Sequence, residues 1–600
     1  MSTPPTDFDN CPSLVRAFFD QARTRSDQPF LWAKRDGEWR ALTWAETERQ
    51  VRALACALTA LGVARGDRVG LIAENRPEWV IADLAIMAAG AVSVPTYTTN
   101  TLDDHLFILS NVQAKGVIVS TRALAETAIA AARRTPSPCA FAIAIETPDF
   151  KQDPGLALLS WDEALAKGQA APDAVDATVS SLTRADLACV IHTSGTGGKP
   201  KGVMLHHGAI LRNCAGAWDV FTTLDPGEET YLSFLPLSHS YEHTVCMGFM
   251  IGIGAQIYFA EGIDKLGSNM IETRPTIMTA VPRLYESLYA RITQGLKREK
   301  PLKRMLFAKT LELGTKRYEG VPLGLGERLL DALLERLVRA KVRARFGGRL
   351  KAFVSGGAAL VPEIGVFFQA LGVRVLQGYG QTESGPVISA NRPGLERMDT
   401  VGPPLKGVEV RIAADGEILV RGELVMKGYW NEPEWTAQTV IDGWLHTGDV
   451  GEIDAKGRIK ITDRKKDFIK NSGGEMLSPS KIEGTLLMEP EIAQAMVHGD
   501  KRPYLVAVIV PKPETVEAIA KAKGAAPDLA ALADAPELRA AIEAAVERAN
   551  AKLALPERVR RFLIANQGFT IENEQMTPTL KVRRHVVRGV YGDRLEALYG

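Results

Sequence analysis

The run Thr193-Ser-Gly-Thr-Gly-Gly-Lys-Pro-Lys-Gly202 holds the densest set of chemically capable residues in this chain. Its glycines let backbone N–H groups approach phosphate oxygens, its hydroxyls add donors and its lysines add positive charge. Such a run suits a polyphosphate loop. It is not a Walker A loop, because Gly202 is followed by Val203 where Lys and then Ser or Thr are needed. The apolar runs on either side, Leu187 to Ile191 and Val203 to Leu205, both read as strands and predict a hairpin. A glycine-rich turn without a ligand is the other reading of the run alone.

Positioning such a loop takes a large scaffold. Six hundred residues exceed what one hydrophobic core organises, so at least two domains are expected. A chain 46% hydrophobic and 24% charged is globular in composition. With 72 basic against 71 acidic residues the net charge is +1, which provides no global field for nucleic acid. The six cysteines, at 11, 56, 139, 189, 214 and 246, form no C-x-x-C pair, which argues against a zinc site or a disulfide framework and suits a reducing cytoplasm. The first residues lack a basic segment followed by an apolar one, so no secretory leader is expected. Trp79 to Tyr97 contains Asp83, and Val245 to Ala260 is short and broken by Gly248, Gly252 and Gly254; both read as core and not as membrane spans. A cytoplasmic protein is expected. Peripheral contact with the inner face of the membrane, and a homodimer, stay open.

From about residue 40 to 180, apolar runs such as Arg68 to Ala73 and Lys115 to Ser120 alternate with helical stretches such as Ala45 to Leu61. The alternation predicts βαβ units, and it repeats from Leu187 to about residue 395. Short alternating runs at 408–412, 417–420 and 458–461 predict a small β-rich subdomain. The fold class is therefore α/β: a large N-terminal domain (1–462) of two βαβ-type subdomains plus the β-rich one, then a hinge (463–470), then a smaller α+β domain (471–600) containing the strand Tyr504 to Val510. Residues 297–345, rich in Lys, Arg and Leu, read as helices whose charges form a solvated face, and Pro513 to Leu555 reads as amphipathic helix.

The loop TSGTGGKPKG resembles the signature loop of the AMP-forming adenylate enzymes, with Gly197 in place of the usual Thr. Further elements of that resemblance follow in order. Ser355-Gly356-Gly357-Ala358-Ala359 resembles the loop on which adenine lies, and Gly378-Tyr379-Gly380-Gln381-Thr382-Glu383 the segment whose Tyr stacks on adenine and whose Glu binds Mg²⁺, here with Thr193. His446-Thr-Gly-Asp449 resembles the element whose carboxylate holds the ribose hydroxyls. Asp463 to Lys470 resembles the family hinge, with Arg464 near the ribose and Lys466 at the pivot. Lys581 matches the lysine that reaches the α-phosphate and the substrate carboxylate.

Leu235-Pro-Leu-Ser-His239-Ser-Tyr-Glu242 and Val281-Pro-Arg-Leu-Tyr-Glu286 resemble the variants of long-chain fatty acid–CoA ligases, and the resemblance extends from about residue 12 to 590. It implies ATP, Mg²⁺, a fatty acid and coenzyme A as ligands, with acyl-CoA, AMP and pyrophosphate as products of a reaction through an acyl-adenylate. Thr193, Ser194, Gly195, Thr196, Gly197 and Lys201 would hold phosphate. His239 and the glycines after it would border the acyl pocket, leaving room for an alkyl chain. Rotation of a mobile C-terminal domain about Lys466 would withdraw Lys581 and bring Lys470, Gly473 and Gly474 to the site for thioester formation. The alternative within the same chemistry is a fatty-acyl-AMP ligase that loads a carrier protein.

Overall fold

The computed structural model describes residues 5–146, 155–169, 174–193, 200–465, 468–577 and 581–600. Its first sheet has eight strands, built from the alternation read above. Arg68–Ile72 pairs in parallel with Val92–Pro95 on one side and Gly116–Val119 on the other. The helix Trp44–Ala60 starts at a capping box, in which the Thr43 hydroxyl and Glu46 carboxylate satisfy each other's backbone N–H groups. Pro77–Ala88 is buried along its whole length, which accounts for a sequence apolar apart from Glu78 and Asp83. Toward the far side, next to the short edge strand Gly428–Tyr429, β1 (Leu187–Thr193) and β2 (Lys201–His206) form the predicted antiparallel hairpin.

The second sheet also has eight strands. At its centre β3 (Thr230–Ser233), β4 (Ile277–Ala280), β5 (Ala352–Ser355) and β6 (Val375–Gly380) run parallel, so their C-terminal ends emerge on one edge. Between β4 and β5 the chain forms three long helices, α1 (Pro282–Lys297), α2 (Pro301–Glu319) and α3 (Leu325–Leu334). Helix α2 lies close against α4 (Pro362–Ala370): a Cβ on Gly314 would come within 2.5 Å of the Ala370 carbonyl oxygen. The charges of this insertion lie mostly on its solvated face, as expected, with Arg339 buried, and leucines of α3 are turned to solvent as well.

The third sheet is small and antiparallel, containing β7 (Trp444–Ile453) and β8 (Ile459–Arg464) with the strands Glu409–Ile412 and Glu417–Arg421. Strand β8 runs into the charged segment that the sequence marks as a hinge, and β9 (Ile469–Lys470) pairs with β10 (Met476–Leu477) just beyond it. Lys466 lies outside the described residues. The C-terminal unit has its own core around β11 (Ile492–His498), β12 (Leu505–Pro511) and β13 (Val559–Ile564). The amphipathic stretch after Pro513 is divided into the helices Pro513–Lys523, Leu529–Leu532 and Pro536–Asn550. Contacts among the described residues that join this unit to the large domain include the Arg283 guanidinium donating to the Ala493 carbonyl (3.1 Å) and Met488 packing on the core beneath α4.

Candidate active site

Thr193 and Lys201 are cross-strand partners at the loop end of the β1–β2 hairpin, which fixes both ends of the glycine-rich loop. Ser194, Gly195, Thr196 and Gly197 lie outside the described residues. The Lys201 ammonium stands 3.2 Å from the ring centroid of Trp435 and 5.1 Å from that of Tyr429, a cation–π arrangement that holds its long side chain in place. The Tyr429 hydroxyl donates to Glu383 Oε1 at 2.8 Å, so one aromatic residue touches both the loop lysine and the carboxylate read as a metal ligand.

The loops after β5 and β6 form the floor, at the C-terminal edge where ligands of open α/β sheets bind. Gly356 is buried and Ala358 is exposed, while Gly357 adopts φ +82°, a conformation that glycine takes without strain. Gly378 lies near the C-terminal end of strand β6, and a Cβ on Gly380 would lie 1.8 Å from the Pro386 carbonyl oxygen, so only glycine allows this backbone approach. Tyr379 is buried, and its hydroxyl donates to Asp449 Oδ2 at 2.6 Å. Thr382 shares a 2.9 Å hydroxyl–hydroxyl bond with Ser240, tying this segment to the one that carries His239.

Asp449 and Arg464 face each other across β7 and β8, and the Arg464 Nε donates to Asp449 Oδ1 at 3.1 Å. Lys581, from the C-terminal unit, comes close enough to feel the charges of Arg464, Asp449 and Glu383. The residue is exposed to solvent, while the protein around its ammonium partly desolvates it. Desolvation first, and then repulsion by Arg464, lower its ammonium pKa to about 8, against the attraction of Asp449 and Glu383. Lys581 also contributes to lowering the pKa of His239 to about 4, although burial is the larger cause. His239 is therefore neutral near pH 7. Its Nδ1 accepts from the Tyr241 N–H at 3.2 Å, which leaves the ring proton on Nε2.

Profiles built from known protein families decide where this arrangement belongs. That of the AMP-binding enzymes matches residues 18–430, and that of the AMP-binding enzyme C-terminal domain matches residues 466–600. The chain belongs to the AMP-binding enzyme family. Within it, the long-chain-fatty-acid–CoA ligase FadD15 of Mycobacterium tuberculosis is 34% identical, over 98% of this chain and 97% of that protein. The long-chain-fatty-acid–CoA ligase 6 of Homo sapiens is 32% identical over 88% of this chain and 78% of its own length. Among solved structures, the adenylation domain of a Mycobacterium chelonae carboxylate reductase superposes with a TM-score of 0.77, at 24% identity, over 99% of this chain and 93% of that one. That likeness concerns the fold alone.

Membership in the family leaves some sequence expectations apart in space. Lys470, Gly473 and Gly474 lie exposed on or beside the β9–β10 hairpin, and no contact among the described residues joins them to Lys581, Glu383 or Asp449. Among the described residues no group of three or more His, Cys, Asp or Glu could hold a metal. A single carboxylate beside a phosphate loop nevertheless fits Mg²⁺, which keeps waters and takes substrate oxygens as ligands.

The glycines after His239 do not leave room for an alkyl chain. A Cβ on Gly248 would meet Cys214 Sγ at 2.7 Å, one on Gly252 would meet the Phe8 ring at 2.3 Å, and one on Gly254 would meet the Arg25 guanidinium at 2.0 Å. These are close-packing positions. Residues missed in the sequence hold the His239 segment instead. Asn75 donates to the Ser233 hydroxyl and Leu235 carbonyl and accepts from the Leu237 N–H. The fully buried Glu242 accepts from Tyr231, Ser233 and Thr279 at 2.6–2.8 Å, and burial nonetheless raises its pKa to about 7. Polar residues on otherwise apolar strands, such as Ser233 and Thr279, were the available signal.

Proposed function

We propose that this family member is a long-chain fatty acid–CoA ligase that joins ATP, a fatty acid and coenzyme A through an acyl-adenylate. The observation that carries this reading is the meeting of Lys581 from one unit with Glu383, Asp449 and Arg464 from the other. One lysine placed among a metal-type carboxylate and a ribose-type carboxylate suits attack on an α-phosphate. Ligases of long-chain fatty acids that match over nearly the whole chain support the choice of acyl substrate.

In the first step a fatty carboxylate oxygen attacks the α-phosphorus, the bond to the bridging oxygen breaks and pyrophosphate leaves. Lys581 steadies the charge on the α-phosphate oxygens and the incoming carboxylate, and the Thr193–Gly202 loop, through Lys201, holds the departing phosphates. Asp449 accepts from the ribose hydroxyls while Arg464 and Tyr379 hold its two oxygens in place. Mg²⁺ held by Glu383, with Thr193 nearby, would neutralise the phosphate charge. In the second step the coenzyme A sulfur attacks the acyl carbon, the bond to AMP breaks and the thiol proton passes to solvent. The exposed β9–β10 hairpin would serve that step after the C-terminal unit has turned about the segment at Lys466. A cytoplasmic site of action with peripheral membrane contact is consistent with the described helices, of which none is long and apolar enough to cross a membrane.

Pyrophosphate release and acyl-CoA formation, measured with fatty acids of increasing length, test the reading. Acyl-CoA that depends on ATP supports it. Adenylate without thioester indicates transfer to a carrier protein, and no release with any fatty acid refutes it.

A further inference from the structure

The helical insertion between β4 and β5 concentrates a charge that the molecule as a whole lacks. Residues 297–349 hold fifteen of the 72 Lys and Arg but only six of the 71 Asp and Glu. The segment thus carries nine surplus positive charges in a chain of net +1, and the remainder is net negative by eight. On α3 and its continuation, Leu325, Leu329, Leu333 and Leu337 are 81%, 77%, 50% and 40% exposed. Their spacing of four residues places them along one helix face.

Ion pairs fix that face outward. Lys316 holds Glu327 at 2.6 Å and Arg317 holds Asp331 at 3.0 Å, while the buried Arg339 holds Asp331 at 2.7 Å from the other side. Turning the leucines inward would break all three. Beside them Arg336, Lys341 and Arg345 are exposed and make no ion pair among the described residues.

We propose that this face docks on an anionic lipid bilayer, with the leucines entering the headgroup boundary and the basic side chains meeting lipid phosphates. Four leucines held in water leave apolar surface that a bilayer would cover, and long basic side chains can lay their stems on that surface while their charges reach phosphate. The positive surplus selects the occupant. A second copy of the chain would set one positive patch against another, whereas an anionic leaflet complements it. The surface stands on exposure and charge; its use, keeping the enzyme where long acyl chains reside, rests on the fatty-acid reading.

Co-sedimentation of the full chain with vesicles of phosphatidylcholine, alone or mixed with phosphatidylglycerol, tests the surface. The expected result is binding at least about tenfold tighter to the anionic vesicles and weakened by salt. A variant combining Leu325→Ser, Leu329→Ser and Leu333→Ser should lose most of that binding. Arg336→Glu with Lys341→Glu should lose it at low salt, and both variants should keep the parent melting temperature and acyl-CoA formation on detergent-dispersed fatty acid. Equal binding to both vesicle types, parent-like binding by the leucine variant, or conversion of a dimer to a monomer with vesicle binding unchanged would overturn the proposal. Anionic-selective binding by a chain that makes no acyl-CoA would sink the ligase reading and leave the docking surface standing.

Discussion

Lys581 reaches the site from the far end of the chain, so its contribution can be separated from the groups that bind nucleotide. Replacing it with Ala should slow adenylate formation by at least about a hundredfold, the scale of losing one electrostatic stabiliser of a transition state. Thioester formation from supplied acyl-adenylate should persist, because that step does not use the residue; equal loss in both half-reactions would refute the assignment. The pH profile carries the same information. Phosphate stabilisation needs the ammonium form, and partial desolvation with repulsion by Arg464 lowers its pKa to about 8, so adenylation should decline as pH rises through that region. Solvent contact of the side chain moderates the shift. His239 adds no limb above about pH 5, since its pKa of about 4 leaves the ring neutral there. Trp435 is a second residue with a stated role: its ring holds the Lys201 ammonium at 3.2 Å. Trp435→Ala should raise the KM for ATP a few-fold, matching the roughly 0.5–1 kcal/mol of an exposed cation–π contact, and Trp435→Phe should recover part of it. An unchanged KM in both variants would mean that the ring does not position the lysine.

The β3 end and the turn at Ser240–His243 are held together by Glu242, a carboxyl group with three hydroxyl donors and no solvent. Its folded-state pKa, about 7, lies above the ordinary carboxylate value of 4.5 because burial outweighs those hydrogen bonds. A raised pKa means that the folded state takes up a proton, so the stabilisation is complete below about pH 4.5 and is lost as pH rises through 7. The melting temperature of Glu242→Gln should therefore change less between pH 5 and 8 than that of the parent; parallel melting curves would exclude the effect. The elements around this cluster differ in how far the sequence foretold them. The hairpin bracketing the glycine-rich loop, the alternating strands of the third sheet and the buried Pro77–Ala88 helix follow from periodicity and turn residues, which are local signals. The glycines at 248, 252 and 254 were misread because a glycine can mark either a cavity or a close approach. Only the partners Cys214, Phe8 and Arg25, distant in sequence, settle which. The exposure of the α3 leucines was not legible for the same reason, since helical spacing shows that a face is apolar and not what covers it.

At the scale of the molecule, the two units meet in one arrangement of the site, with Lys581 beside Glu383 and the β9–β10 hairpin elsewhere. On the proposed reading the molecule takes a second arrangement for the thioester step, with Lys581 withdrawn from the site. Contacts between the units that such a rotation would break would then bias the molecule toward adenylation. The clearest candidate is the Arg283 guanidinium on the Ala493 carbonyl at 3.1 Å, from the Val281-Pro-Arg segment to β11. A hydrogen bond from a partly exposed charged group contributes about 1 kcal/mol net, which corresponds to roughly a fivefold change in population. Arg283→Ala should accordingly slow adenylation by about that factor while leaving thioester formation from supplied adenylate unchanged or faster, an asymmetry that general destabilisation does not produce. Rapid-quench measurement of each half-reaction separates the cases. Equal slowing of both would mean that Arg283 supports the fold and not the balance between the two arrangements.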